Sequence, residues 1–107
     1  MDFTQMFKNF SGLKSKMDEV RQRVATMEID GEAGAGMVRV TVSGEGELKN
    51  IKIDPDLLSA DNSEMLEELI ISATNEAVKK ARETLAYEMK SITGGLNIPG
   101  LDKIFGS

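Results

Sequence analysis

The sequence contains no cysteine, no histidine and no tryptophan. Without cysteine the chain has neither a disulfide framework nor a thiolate site. Without histidine it lacks the commonest general base near neutral pH and the commonest metal ligand. The acidic stretch IDPDLLSAD also lacks the glycine and the closing glutamate of a calcium loop. We therefore expect no enzymatic activity, no metal, no cofactor and no small-molecule substrate.

Long apolar runs are absent as well. No run of about 18 apolar residues could span a bilayer, and the N-terminus lacks the features of a signal peptide. We expect a cytoplasmic protein with no membrane partner. The 107 residues, 40% of them hydrophobic, predict one small domain. Because a domain of this size buries little surface alone, the sequence also predicts a homodimer.

The first 27 residues predict a long amphipathic helix. Lys14 and Arg21 take e positions of its heptad register, while Lys16 and Arg23 take g positions, so cations flank the apolar face on both sides. We call this apolar face the seam. Its residues follow one another at alternating steps of three and four, as heptad a and d positions do: Phe3, Met6, Phe10, Leu13, Met17, Val20, Val24 and Met27.

Two kinds of partner could neutralise these cations. One is internal, because the stretch from Ser63 to about Ile92 predicts a second amphipathic helix with six glutamates. The other is an external polyanion. The first 27 residues have a net charge of +2 and the remaining eighty a net charge of −7. The total of −5 therefore does not show that positive charge is concentrated at the N-terminal end of the chain. The residues alone leave both alternatives open.

The glycine-rich stretch GEAGAG precedes a predicted strand. A phosphate-binding loop would lead into a helix N-terminus, so this stretch is interpreted as a connection between strands. Alternating Val38, Val40 and Val42 predict one strand, and GEG at 44–46 predicts the turn into another at 48–53. Residues 28–33 can supply a third strand. The valine face fits either the core of one chain or a contact with a partner.

The order of these segments predicts an α+β fold. It consists of a long N-terminal helix, a three-stranded antiparallel sheet, a long second helix and a short apolar C-terminal tail. We expect a single α-β-β-β-α domain over residues 1–93. Residues 94–107 form a Gly/Pro-containing tail, because their glycines and proline interrupt helices.

The combined motifs resemble the YbaB/EbfC family of bacterial nucleoid-associated proteins. The resemblance rests on GMVRVTVSGEGELKNIKIDPDLL, followed by LEELIISATNEAVKKARE and ITGGLNIPG. The long N-terminal helix fits the family too, so the resemblance covers nearly the whole chain. It implies a small homodimer whose helices project as paired arms and hold double-stranded DNA with little sequence specificity. It also implies location at the nucleoid, a role in DNA organisation or gene regulation, and no established enzymatic activity.

The resemblance assigns DNA contact to the helical arms. Phosphate contacts from basic residues there would make binding fall steeply with salt. An alternative is a protein interaction adaptor that uses its amphipathic helices without a direct DNA function. The cations of the second helix are weaker candidates for DNA contact than those of the first; they are Lys79, Lys80, Arg82 and Lys90. The DNA-binding residues implied for the first helix are Lys8, Lys14, Lys16, Arg21 and Arg23.

Overall fold

The chain folds into two long helices and one antiparallel sheet. The computed structural model describes the backbone of residues 3–93 and the side chains of residues 8–92. This architecture confirms the predicted α+β fold, while the predicted tail at 94–107 lies outside the described residues. In chain order the elements are α1 (Phe3–Ala25), β1 (Glu28–Ala33), β2 (Val38–Ser43), β3 (Leu48–Ile53), two short 3-10 turns (Pro55–Leu57 and Ala60–Asn62) and α2 (Ser63–Thr93).

The sheet has the order β1-β2-β3, so β2 is its central strand. Val40 pairs with Gly31 of β1 on one side and with Ile51 of β3 on the other. The connection between β1 and β2 has three consecutive residues with positive φ, Gly34 at 63°, Ala35 at 55° and Gly36 at 86°. Left-handed backbone of this kind makes a tight hairpin turn. The glycine-rich stretch is therefore a strand connection, as the sequence predicted.

The main core lies between the sheet and α2. Three small residues of α2, Ala73, Ala77 and Ala81, are buried against the valines of β2. The helix approaches so closely that a Cβ atom at Gly31 would meet the backbone of Ala73 and Ala77. Val38, Val40 and Val42 are fully buried within the single chain. The valine face therefore belongs to the core of one chain and not to a contact with a partner.

A second, smaller core joins α1 to the C-terminal half of α2. Val20 and Val24 pack with Met89, and Met17, Leu85 and other partly buried residues surround them. Among the seam residues whose side chains are described, those of the second half are covered, whereas Phe10 is 72% exposed. We call the paired helical segments, residues 8–25 and 79–93, the arm. Residues 26–78, which contain the sheet and the first half of α2, form the body.

Candidate nucleic-acid interface

Charge is unevenly divided between the arm and the body. The arm contains nine Lys or Arg and four Asp or Glu, a net charge of +5. The body contains three Lys or Arg and twelve Asp or Glu, a net charge of −9. Since exposed charges act over about one Debye length, roughly 8 Å at physiological salt, the arm presents a basic surface despite the acidic total.

The structure places all five cations implied for the first helix on the arm, and all five are exposed. Four of them, Lys8, Lys14, Lys16 and Arg21, make no ion pair with any residue that the structure describes. Their ammonium and guanidinium groups are thus available to an external anion. Arg23 differs, because it has a partner on α2.

Arg23 joins the two helices of the arm. Its Nη2 atom donates a hydrogen bond of 2.6 Å to Oε2 of Glu88. The Glu88 side chain is only 22% exposed, whereas that of Arg23 is 57% exposed. The internal alternative from the sequence is therefore correct for this one pair, within the described part of the chain. An exposed pair of this kind contributes about 0 to 1 kcal/mol to stability, and it engages the Arg23 guanidinium within the arm.

On α2, Lys80 faces the body. Its Nζ atom lies 3.0 Å from Oε1 of Glu76 and donates a hydrogen bond of 3.2 Å to the backbone oxygen of Asp30 in β1. The hydrogen bond that Lys80 donates to the Glu76 carboxylate, together with the positive charge of Lys80, lowers the pKa of the Glu76 carboxyl. The spacing of four residues between glutamate and lysine is a sequence signal for such a pair. Lys80 is therefore engaged at the base of the arm.

Arg82 has a different environment from Lys80. It is exposed, as is Lys79, and neither makes an ion pair with a described residue. Since two residues turn a helix by about 200°, Arg82 points away from the side of α2 on which Lys80 contacts β1. Arg82 is therefore available to an external anion, like the exposed cations of α1, although no sequence pattern distinguishes it from Lys79 and Lys80.

The outer face of the sheet is a mixed polar surface. On β1 and β2, Arg39 Nε lies 3.7 Å from Oε2 of Glu32, and the hydroxyl of Thr41 donates a hydrogen bond of 2.7 Å to Asp30. A shallow cavity of about 500 Å³ nearby is lined by Arg39 and Lys52 but also by Asp54. Acids accompany the cations here, so this face is a poorer anion site than the arm. Among the residues described, no three potential acidic ligands cluster as a metal site requires.

The body exposes apolar side chains on the edge strand β3 and on α2. On the edge strand β3, Leu48 is 49% exposed and Ile51 is 39% exposed, although both pair with core valines of β2. On α2, Ile71 is 60% exposed and lies seven residues before Val78, which packs against the core. Seven residues make nearly two helical turns, so both lie on one side of the helix. The sequence could not reveal this exposure, because alternation does not indicate which strand lies at the edge.

The fold and the basic arm together define a class, small α+β proteins that present cations on a projecting helical pair. Comparison with known proteins identifies the family within this class. Residues 1–96 match the model of the YbaB/EbfC DNA-binding family. The chain belongs to this family, as the sequence motifs indicated.

Similar proteins come from several bacteria. The chain is 43% identical over 100 residues to a nucleoid-associated protein of Afipia carboxidovorans, covering 94% of this chain and 95% of that one. It is 46% identical over 94 residues to a nucleoid-associated protein of Granulibacter bethesdensis, covering 88% of each. The crystal structure of an uncharacterized protein from Helicobacter pylori is similar, with a TM-score of 0.68 and 32% identity over 83% of this chain and 97% of that one. None of the helices described here is long and apolar enough to cross a membrane.

Proposed function

We propose that this protein binds double-stranded DNA as a homodimer, through phosphate contacts from the arm, at the nucleoid of a bacterial cell. The observation that supports this most strongly is the division of charge, with +5 on the arm and −9 on the body. A duplex has one negative charge per about 1.7 Å of its axis. The duplex would be attracted to the arm and repelled by the body, which limits the orientations in which the protein can bind DNA.

Binding of this kind depends on counterion release. Each phosphate that a lysine or arginine neutralises frees condensed cations, so the logarithm of the binding constant falls linearly with the logarithm of salt concentration, by about 0.9 per contact. Phosphates are the same in every sequence, so these contacts give little sequence preference. This supports a role in organising DNA or in regulating genes broadly. It involves no reaction, and we propose that the protein is not an enzyme.

The homodimer is supported by the apolar edge of the body. Leu48 and Ile51 leave an exposed apolar surface on β3, beside the core, that a second copy could cover. A contiguous exposed apolar surface is typical of a protein interface. Covering this edge would also pair or shield β3, whose unpaired backbone groups would otherwise be open to aggregation. A dimer would present two arms to one duplex.

A protein interaction adaptor is the second candidate. It is favoured by one observation, the exposure of Phe10 on the seam beyond the part that α2 covers. An amphipathic partner helix could bind there. Changing Phe10→Ser should abolish capture of such a partner while the fold is kept, because Phe10 is exposed and outside both cores. It should leave the salt dependence of DNA binding intact if DNA is the true ligand.

The proposed function is tested with a duplex of mixed sequence. Its affinity is measured from about 50 to 200 mM salt for the wild type and for a variant with Lys14, Lys16, Arg21 and Arg23 all changed to glutamine. We expect a log-linear loss of affinity with salt and a shallower slope in the variant. An absence of binding by the wild type at the lowest salt would contradict the proposal and favour the adaptor.

A further inference from the structure

The two sides of the arm are chemically different. Arg23 on α1 and Glu88 on α2 are joined by a hydrogen bond of 2.6 Å, which identifies one side of the helical pair. Lys16 lies seven residues before Arg23, nearly two helical turns, and so lies on the same side. We call this side, defined by Lys16, Arg23 and Glu88, the paired flank.

The opposite side of α1 presents cations without acidic partners. Arg21 precedes Arg23 by two residues, or about 200° of helical rotation, so it lies across the seam from the paired flank. Lys14 lies seven residues before Arg21 and shares its side. Both are exposed and make no ion pair with a described residue. Asp18, four residues after Lys14 and three before Arg21, is their neighbour on the helix surface but makes no ion pair with either.

Arg82 extends this side onto α2. It lies six residues before Glu88, about 120° away around the helix, and seven residues before Met89, which packs against α1. In an antiparallel helical pair, Arg82 therefore lies on the same side as Arg21. We call the side defined by Lys14, Arg21 and Arg82 the free flank.

The acidic side chains of the body also favour the free flank over the paired flank as the place where a polyanion binds. Lys80 lies eight residues before Glu88, about 80° around the helix, and contacts Asp30 of β1. The paired flank thus leads toward β1, whose outward side chains include Glu28, Asp30 and Glu32. Arg82 points away from these carboxylates. A polyanion on the free flank would avoid their repulsion, whereas one on the paired flank would meet it.

The geometry points to the free flank as the surface that holds the DNA backbone, with Lys14, Arg21 and Arg82 as contact residues, whereas Arg23 is already engaged by Glu88. This inference depends on the proposed function, since it specifies which part of the arm binds. Lys14 and Arg21 are separated by about 10.5 Å along α1. That distance is about three phosphates of one strand at a rise of 3.4 Å each, so one duplex can reach both.

The test uses two variants of equal charge on the same helix. The first is Lys14→Gln with Arg21→Gln on the free flank, and the second is Lys16→Gln with Arg23→Gln on the paired flank. On α2, Arg82→Gln is matched with Lys80→Gln. Each protein is titrated with the same mixed-sequence duplex across a salt series, and circular dichroism checks that the helices are intact.

We expect the free-flank pair to lose about tenfold or more in affinity near 100 mM salt and to lower the salt slope by about 2. Arg82→Gln should lower the slope by about 1. The paired-flank variant and Lys80→Gln should change affinity by less than about threefold. An equal or larger loss in the paired-flank variant would overturn the inference while leaving DNA binding established. Failure of the wild type to bind at low salt would overturn the proposed function and this inference together.

Discussion

At the residue scale, Gly31 sets the distance between the sheet and α2. A methyl group at this position would meet the backbone oxygen of Ala73 and the backbone nitrogen of Ala77, neither of which can move independently. We predict that Gly31→Ala lowers the free energy of unfolding by about 2 to 3 kcal/mol, because overpacking a tight contact forces the backbone apart. Urea unfolding followed by circular dichroism measures this.

Gly12 provides the matched control for Gly31. It is an exposed residue of α1, and an added Cβ there would have no neighbour within 4 Å. Gly12→Ala should therefore raise stability, by up to about 1 kcal/mol, since alanine favours helix more than glycine does. Wild-type stability in Gly31→Ala would mean that the helix and the sheet are not in such close contact.

Some residue-scale features could be predicted from the sequence and others could not. The alanines at 73, 77 and 81 recur on one face of α2 and predicted a close approach to the first helix, which is wrong. The partner proved to be the sheet at Gly31, which depends on strand register and not on local pattern. Similarly, Arg21 at an e position and Arg23 at a g position both flank the seam, and only the position of Glu88 shows which of them is paired.

At the scale of elements, α1 is supported unequally along its length. Its second half packs through Val20 and Val24, whereas Phe10 in its first half is exposed. Isolated helices shorter than about 12 to 15 residues are marginal in water. We predict that amide hydrogens of residues 8–16 exchange much faster than those of residues 69–81, where α2 packs on the sheet. Hydrogen exchange measured on the free protein would contradict this if both segments were equally protected.

The elements themselves were largely predictable. Periods of 3.6 and 2 in the apolar residues determine helix and strand, and the structure has all three predicted strands, at 28–33, 38–43 and 48–53. The extent to which α2 covers α1 was not predictable. It depends on where α2 leaves the sheet, which is a property of tertiary packing. The heptad pattern continues through Phe10 without any sign that the cover has ended.

At the scale of the whole molecule, the apolar edge of the body predicts self-association. Ile51 lies on the face of β3 that continues the core, while Asn50 lies on the opposite face, paired with Thr41. We predict that Ile51→Lys shifts the protein from dimer to monomer, because a charge would be buried at the interface. Sedimentation equilibrium measures the mass. Asn50→Lys is the control that adds the same charge and should leave the dimer intact, and a dimeric Ile51→Lys variant would place the interface elsewhere.

The division of charge was only partly visible in the sequence. The net charge of +2 on the first 27 residues indicated a basic helix, but the total of −5 gave no indication of a basic surface. The sequence ranked the cations of residues 79–93 behind those of the first helix, and only the structure showed that they pack beside them against α1. Folding thus gathers cations from both ends of the chain into one arm with a net charge of +5.

NMR titration of isotope-labelled protein with a mixed-sequence duplex would locate the DNA on the molecule directly. Binding through the arm predicts that backbone shifts change in residues 8–25 and 79–93, with the largest changes around Lys14, Arg21 and Arg82. The outer face of the sheet should remain unchanged. Shift changes concentrated on the body, with the arm unaffected, would contradict DNA binding by the arm.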